Sequence, residues 1–239
     1  MTCALLEAAR ELATAVDRLS FGPPVTHIYN PLSYAWAGYR AFVTKFAVAP
    51  KRVLFLGMNP GPFGMAQTGI PFGDVVAVRQ FLGIECKVGR PAREHRLRPV
   101  LGFECHRREI SGSRLWGLFA ARFGSAAEFF RDHFVANYCP LAFVEHSGRN
   151  RTPDHLPARE KDELFIVCDA HLRRVVAVLQ PEWVIGVGQF AVDRAKAALA
   201  TADLKIGRIT HPSPASPAAN RDWGTLATRQ LTELGVWQA

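Results

Sequence analysis

Arg52-Val53-Leu54-Phe55-Leu56-Gly57-Met58-Asn59-Pro60-Gly61-Pro62-Phe63-Gly64-Met65-Ala66-Gln67-Thr68-Gly69-Ile70-Pro71-Phe72-Gly73 is the segment from which the architecture is best derived. Its first residues form a short apolar run that ends at Gly57, with the length and composition of a strand buried on both faces. The 57–73 loop holds five glycines and three prolines. Glycine frees the backbone and proline stiffens it, so such a loop can bring main chain close to a ligand. It contains neither G-K-[ST] nor G-x-G-x-x-G, which removes the common phosphate-cradling loops.

Outward from this point, strand and helix patterns alternate. Leu5, Ala9, Leu12, Val16 and Leu19 recur at helical spacing, which predicts a helix over 3–19, stopped by Gly22-Pro23-Pro24. Helices are expected at 34–47, 74–82, 113–123, 159–179, 189–200 and 220–234. Strands are expected at 134–138, 183–187 and 204–210, and residues 146–157 read as a loop. The alternation implies a mostly parallel sheet covered by helices on both faces, a three-layer α/β/α fold in a single domain over 1–239. Ligands bind such sheets beyond the carboxyl ends of the strands. That rule selects three loops, 57–73, 137–140 and 211–219, whose polar residues should converge.

The order of residues within these loops is specific. The 57–73 stretch closely resembles the first motif of the single-strand-selective monofunctional uracil-DNA glycosylases, in the uracil-DNA glycosylase superfamily. Asn137-Tyr138-Cys139-Pro140-Leu141 matches that family's middle motif, and His211-Pro212-Ser213-Pro214-Ala215-Ser216-Pro217-Ala218-Ala219-Asn220 resembles its last. The resemblance implies a uracil-DNA glycosylase-like fold and hydrolysis of the N-glycosidic bond of uracil and related bases such as 5-hydroxymethyluracil in DNA. An abasic site for base excision repair would remain.

The resemblance also implies roles. An enzyme acting on a base must take it out of the stack, so its pocket needs a π-face and groups that read base edges. Phe72 would stack on the flipped pyrimidine, and Asn137 would pair with O4 and N3–H. Asn59 would position the water; an amide cannot accept a proton as a general base at neutral pH. His211 would donate to O2 as charge builds there. Met58, Gly61 and Met65 would line the base pocket, Gly61 and Met65 on its C5 side. Ser213, Pro214, Ala215 and Ser216 belong to the expected wedge, with Ala215 where vertebrate relatives often carry Arg. The three motifs contain no lysine, which argues against Schiff-base lyase chemistry. Ser213 lacks a G-x-S-x-G elbow, and a Cys139–His211 thiol pair is a minor alternative.

Charge fits a polyanionic partner. The 239 residues carry a net charge of +8, and the basic residues are mostly arginine. Residues 87–114 hold a net +5, so Arg107 and Arg108 are expected to contact phosphates of single- and double-stranded DNA. No apolar run approaches a membrane span and no signal peptide is visible. Five scattered cysteines without C-x-x-C suit reduced thiols in an intracellular protein, cytoplasmic or in the nucleoid in a bacterium and nuclear in a eukaryote. No metal or cofactor is expected, and the chain is expected to be a monomer. Two other functions fit the same residues, a glycosylase shifted toward deaminated purines such as xanthine and a catalytically silent nucleic-acid-binding module.

Overall fold

The computed structural model describes residues 1–238. In chain order the elements are α1 (Thr2–Val16), β1 (Val25–Tyr29), α2 (Pro31–Tyr34), α3 (Trp36–Phe46), β2 (Val53–Gly57), α4 (Met65–Thr68) and α5 (Val75–Ala77). Then come α6 (Ile110–Phe123), α7 (Ala126–Asp132), β3 (His133–Asn137), β4 (Ala142–Glu145) and β5 (Asn150–Arg151). The chain closes with α8 (Ala158–Leu179), β6 (Trp183–Val187), α9 (Gln189–Ala198), β7 (Lys205–Ile209) and α10 (Trp223–Glu233).

A four-stranded sheet in the order β3-β2-β6-β7 forms the centre, and each neighbouring pair is parallel. β2 is buried at every residue, as its unbroken apolar run requires. Its two faces meet different helices. Phe55, in register with Ile185, packs on Phe119 of α6 and Phe129 of α7. Gly186, in register with Leu56, lies against Val192 of α9. The expected α/β/α layering is therefore present. Beneath Phe55 the core is aromatic, and Trp116, Phe119, Phe129 and Trp237 are all at most 5% exposed.

A second sheet, antiparallel β1-β4-β5, was not anticipated. Val25–Tyr29 sets the polar residues Thr26 and His27 side by side, which breaks the alternation of a half-buried strand, and it sits between prolines and Asn30, so it gives no strong strand signal. β5 is only two residues long and falls inside the segment read as loop. Helix α7 was also unread; Ser125 caps it through the Glu128 N–H, a seven-residue helix set directly before β3. The first helix ends at Val16 rather than 19.

This layout fixes where chemistry can sit. From β2 the chain crosses to β3 on one side, then returns past β2 to β6 and β7 on the other. β2 is thus the topological switch point, where open α/β sheets bind ligands at the strand carboxyl ends. Gly57 and Asn137 stand side by side there, paired in register.

Candidate active site

The loops after β2, β3 and β7 meet around a cleft of about 360 Å³. Met58, Asn59, Gly61, Phe72, Asn137, His211 and Ser213 line it, as the sequence suggested. Met65 lies just outside the lining, where its sulfur meets Asn137 Nδ2 at 3.3 Å. Pro214 and Ala215 are exposed and Ser216 half-buried, so these three stand on the rim.

Asn59 is oriented by its own neighbours. Its Nδ2 donates to the Leu141 carbonyl at 3.1 Å. A carbonyl only accepts, so the amide cannot be flipped, and Oδ1 is left as the acceptor available to the cleft. The first and middle motifs are therefore mechanically joined.

Phe72 and Asn137 both close in on Gly57. A Cβ at Gly57 would collide with Asn137 Oδ1 and stand 2.6 Å from the Phe72 ring, so only glycine lets both walls close here. Phe72 itself has φ of 53°, a left-handed conformation unusual for a bulky residue. Two contacts from α6 hold it there. Trp116 Nε1–H donates to the Phe72 carbonyl at 3.0 Å, and Gly112 lies so near that carbonyl that any side chain would collide with it. Strain of this kind persists only where surrounding structure over-determines it, and it concentrates at functional sites.

His211 has a defined tautomer. The Ser213 N–H donates to Nδ1 at 3.1 Å, so in the neutral ring the proton is on Nε2. Burial lowers the pKa to about 4, so the ring is neutral at physiological pH and Nε2–H is a donor. Its centroid lies 6.4 Å from that of Phe72.

The sequence reading missed four polar residues in the cleft wall, Glu109, Ser111, Asn150 and Thr152. Glu109 caps α6, accepting from the N–H groups of Ser111 at 3.2 Å and Gly112 at 2.8 Å. Burial raises its pKa, and the two N–H bonds oppose that shift. An acidic residue just before Ile-Ser-Gly-Ser is a cap signal that could have been read. Asn150 and Thr152 reach the cleft through the unforeseen small sheet, and no local pattern announces them.

The two arginines expected on DNA differ in their surroundings. Arg107 stacks its guanidinium over Phe63 of the first motif, 4.0 Å from the ring centroid. Arg108 is bound to the buried Asp74 carboxylate at 2.9 Å and to Ser113 Oγ at 2.6 Å, so its charge is matched within the protein. Arg114 donates to the Pro212 carbonyl at 2.8 Å and to Asn220 at 3.3 Å, and so braces the rim loop from α6.

Comparison with known proteins agrees with this architecture. Residues 45–232 match the model of the Uracil DNA glycosylase superfamily. A "Single-strand selective monofunctional uracil-DNA glycosylase" from Rattus norvegicus is 50% identical over 233 residues, covering 97% of this chain and 84% of the relative. The Bos taurus counterpart is 48% identical, with 97% and 86% covered. The crystal structure of Pedobacter heparinus SMUG2 superposes with a TM-score of 0.67 at 18% identity, over 96% of this chain and 97% of that one, a likeness of fold. The chain belongs to the uracil DNA glycosylase superfamily, whose members are hydrolases of N-glycosyl bonds.

Proposed function

We propose that the protein removes uracil from DNA as a monofunctional glycosylase, with Asn59 and His211 acting on the reacting atoms and Phe72 and Asn137 holding the base. The observation that carries this reading is one cleft in which a π-face, an edge-reading amide, an oriented acceptor and a neutral imidazole donor converge.

The flipped uracil stacks on Phe72, beside Met58. Asn137 offers one amide hydrogen to O4 and its oxygen to N3–H. Cytosine reverses donor and acceptor at those atoms, so it would leave both unpaired, at about 1–3 kcal/mol for each buried orphan group. Asn59 Oδ1 accepts a hydrogen bond from water and aims the water oxygen at C1′, but it takes no proton. Departure of the base must therefore lead. The C1′–N1 electron pair goes to uracil, the sugar becomes oxocarbenium-like, and charge gathers on O2. His211 Nε2–H faces that oxygen. A neutral donor already aligned by Ser213 needs no reorganisation as charge develops, which is the basis of oxyanion-type stabilisation. The water then bonds to C1′ and its proton passes to solvent.

No lysine lines the cleft among the described residues, which supports release without strand cleavage. DNA is the partner, reached through the rim loop and Arg107, and one chain supplies the whole constellation, as suits a monomer. The 1–239 chain acts as a single domain inside the cell, where its thiols stay reduced.

The test is incubation of purified protein with a uracil-containing oligonucleotide in EDTA. Free uracil and an alkali-sensitive, otherwise uncut strand are expected. Loss of all activity in EDTA, or breaks without alkali, would refute the reading.

A further inference from the structure

Asn137 reads the base in this mechanism, yet its side chain is almost unsupported. Among the described residues its one hydrogen-bond partner is the Met65 sulfur at 3.3 Å, and a thioether is a weak acceptor. The angle of the amide is therefore inherited from its backbone. The next residue holds that backbone. The Tyr138 N–H donates to the Gly57 carbonyl at 2.9 Å, and the Tyr138 side chain runs to α8 and α9 rather than into the cleft.

Three groups close a ring there. The Tyr138 hydroxyl donates to Asp169 Oδ1 at 2.6 Å, Arg194 Nη2 donates to Asp169 Oδ2 at 2.5 Å, and Arg194 Nε donates to Tyr138 Oη at 3.1 Å. Burial first, and the bond to Asp169 second, push the phenol pKa up, so the hydroxyl keeps its proton and donates. Phe165 stands one turn before Asp169 on α8, and Phe190 one turn before Arg194 on α9. Both rings meet Tyr138 edge-on, with centroids 5.7 Å away. The phenol is thus fixed at its ring and at its oxygen, and Tyr138 is 1% exposed. A largely buried ion pair is weak evidence for stability, since desolvation offsets its attraction. What this one does is restrict the hydroxyl to a single position.

We propose that Tyr138 is a positioning residue that aims Asn137 at the base, with Asp169 and Arg194 as its anchors. The inference rests on the base pose given under the proposed function.

Single-turnover rates on a uracil-containing single strand test it, with enzyme in excess and well below the Tm of each variant. Tyr138→Phe keeps the ring and removes the hydroxyl. It should slow the parent roughly tenfold, as a small misplacement of a bound group does. In an Asn137→Ala background it should slow the reaction by less than about twofold, because no amide is left to aim. Asp169→Asn keeps an acceptor for the hydroxyl and should retain more of the rate than Asp169→Ala. A purely structural network would lower Tm and slow both backgrounds by one factor. That result, or Tyr138→Phe working at the parent rate, would overturn the proposal. If Tyr138→Phe does not melt cooperatively, Arg194→Lys enters the same cycle with the same two outcomes, since it keeps the charge and loses the paired donors. Failure of the intact protein to release uracil would overturn the glycosylase reading, whereas release with independent losses overturns only the role of Tyr138.

Discussion

His211 and Asn59 are each held by a single backbone partner, and that determines what their loss should do. Replacing His211 with Ala removes the donor aimed at O2, and Asn59→Ala removes the water acceptor. Each should lower the single-turnover rate on uracil by about 10²–10³, the range seen when one preorganised donor is deleted. Binding of the oligonucleotide should change far less, because neither contact matures until charge moves. A variant that cleaves near the parent rate with enzyme in excess would remove that residue from the mechanism. The depressed pKa of His211, about 4, also predicts a rate that stays level from pH 8 down to about 5. A midpoint near 6.5 would mean that the ring is solvated and its tautomer free. At this scale the sequence was informative for Asn59, Phe72, Asn137 and His211 because the motifs are long and their order is specific. It gave no view of the Leu141 carbonyl or the Ser213 N–H, since any residue there but proline (at 213) offers the same backbone group.

The rim loop and α6 act together. Between Pro212 and Asn220 the loop bonds mostly to itself, with Ser213 Oγ accepting from the Ala215 N–H at 3.2 Å and Asn220 Nδ2 donating to the Pro214 carbonyl at 2.8 Å. Ala215, among its exposed residues, offers only a methyl group, too small to fill the gap left by a flipped nucleotide. Activity should therefore rank single strand and U·G above U·A, since extrusion is least costly where pairing is weak. Ala215→Arg should narrow the U·G to U·A difference and slow release of the abasic duplex. Unchanged ratios and release rates would show that residue 215 does not face the stack. Salt dependence separates the two arginines. Arg107→Ala should lower the slope of log K against log salt by roughly 0.7–0.9, one phosphate contact. Arg108→Ala should change the slope less and lower Tm, because Asp74 would stay buried without its cation. The opposite pattern would place the phosphate surface on Arg108. Elements with strong signals, such as the helical periodicity of α8 and the unbroken apolar run of β2, followed directly from sequence. β1, β5 and α7 did not, because each is short and is stabilised by what it pairs with or caps rather than by its own composition.

At the scale of the whole molecule, a histidine buried in its neutral form predicts stability that falls in acid. His133 is 3% exposed, donates from Nδ1 to the Phe129 carbonyl at 2.9 Å and accepts from Trp237 Nε1 at 3.1 Å. Burial holds its pKa at about 4, against 6.5 for an unperturbed histidine. The fold therefore favours the neutral ring. That stabilisation is complete above about pH 6.5 and is lost as pH falls toward 4, amounting to roughly 3 kcal/mol at full shift. Urea denaturation at pH 7 and pH 4.5 should show the loss, and His133→Gln should reduce it by close to one proton's linkage. An equal loss in the variant would assign it to other groups. The layered sheet was expected because parallel strands buried on both faces are unmistakable in sequence; the small sheet was not, since β4 and β5 are only four and two residues long and β1 sets Thr26 beside His27. The central position of β2 has a further result for how the cleft moves. Its amides are paired on both sides and buried, so they should exchange with deuterium only when the whole fold opens. The amides of Ala215, Ser216 and Ala218, in the rim loop beyond Ser213, should exchange through local opening. One side of the cleft should thus keep its shape for as long as the protein is folded, while the exposed rim exchanges on a shorter clock, so that contacts with DNA can be made and lost there without disturbing the bed on which the base is laid.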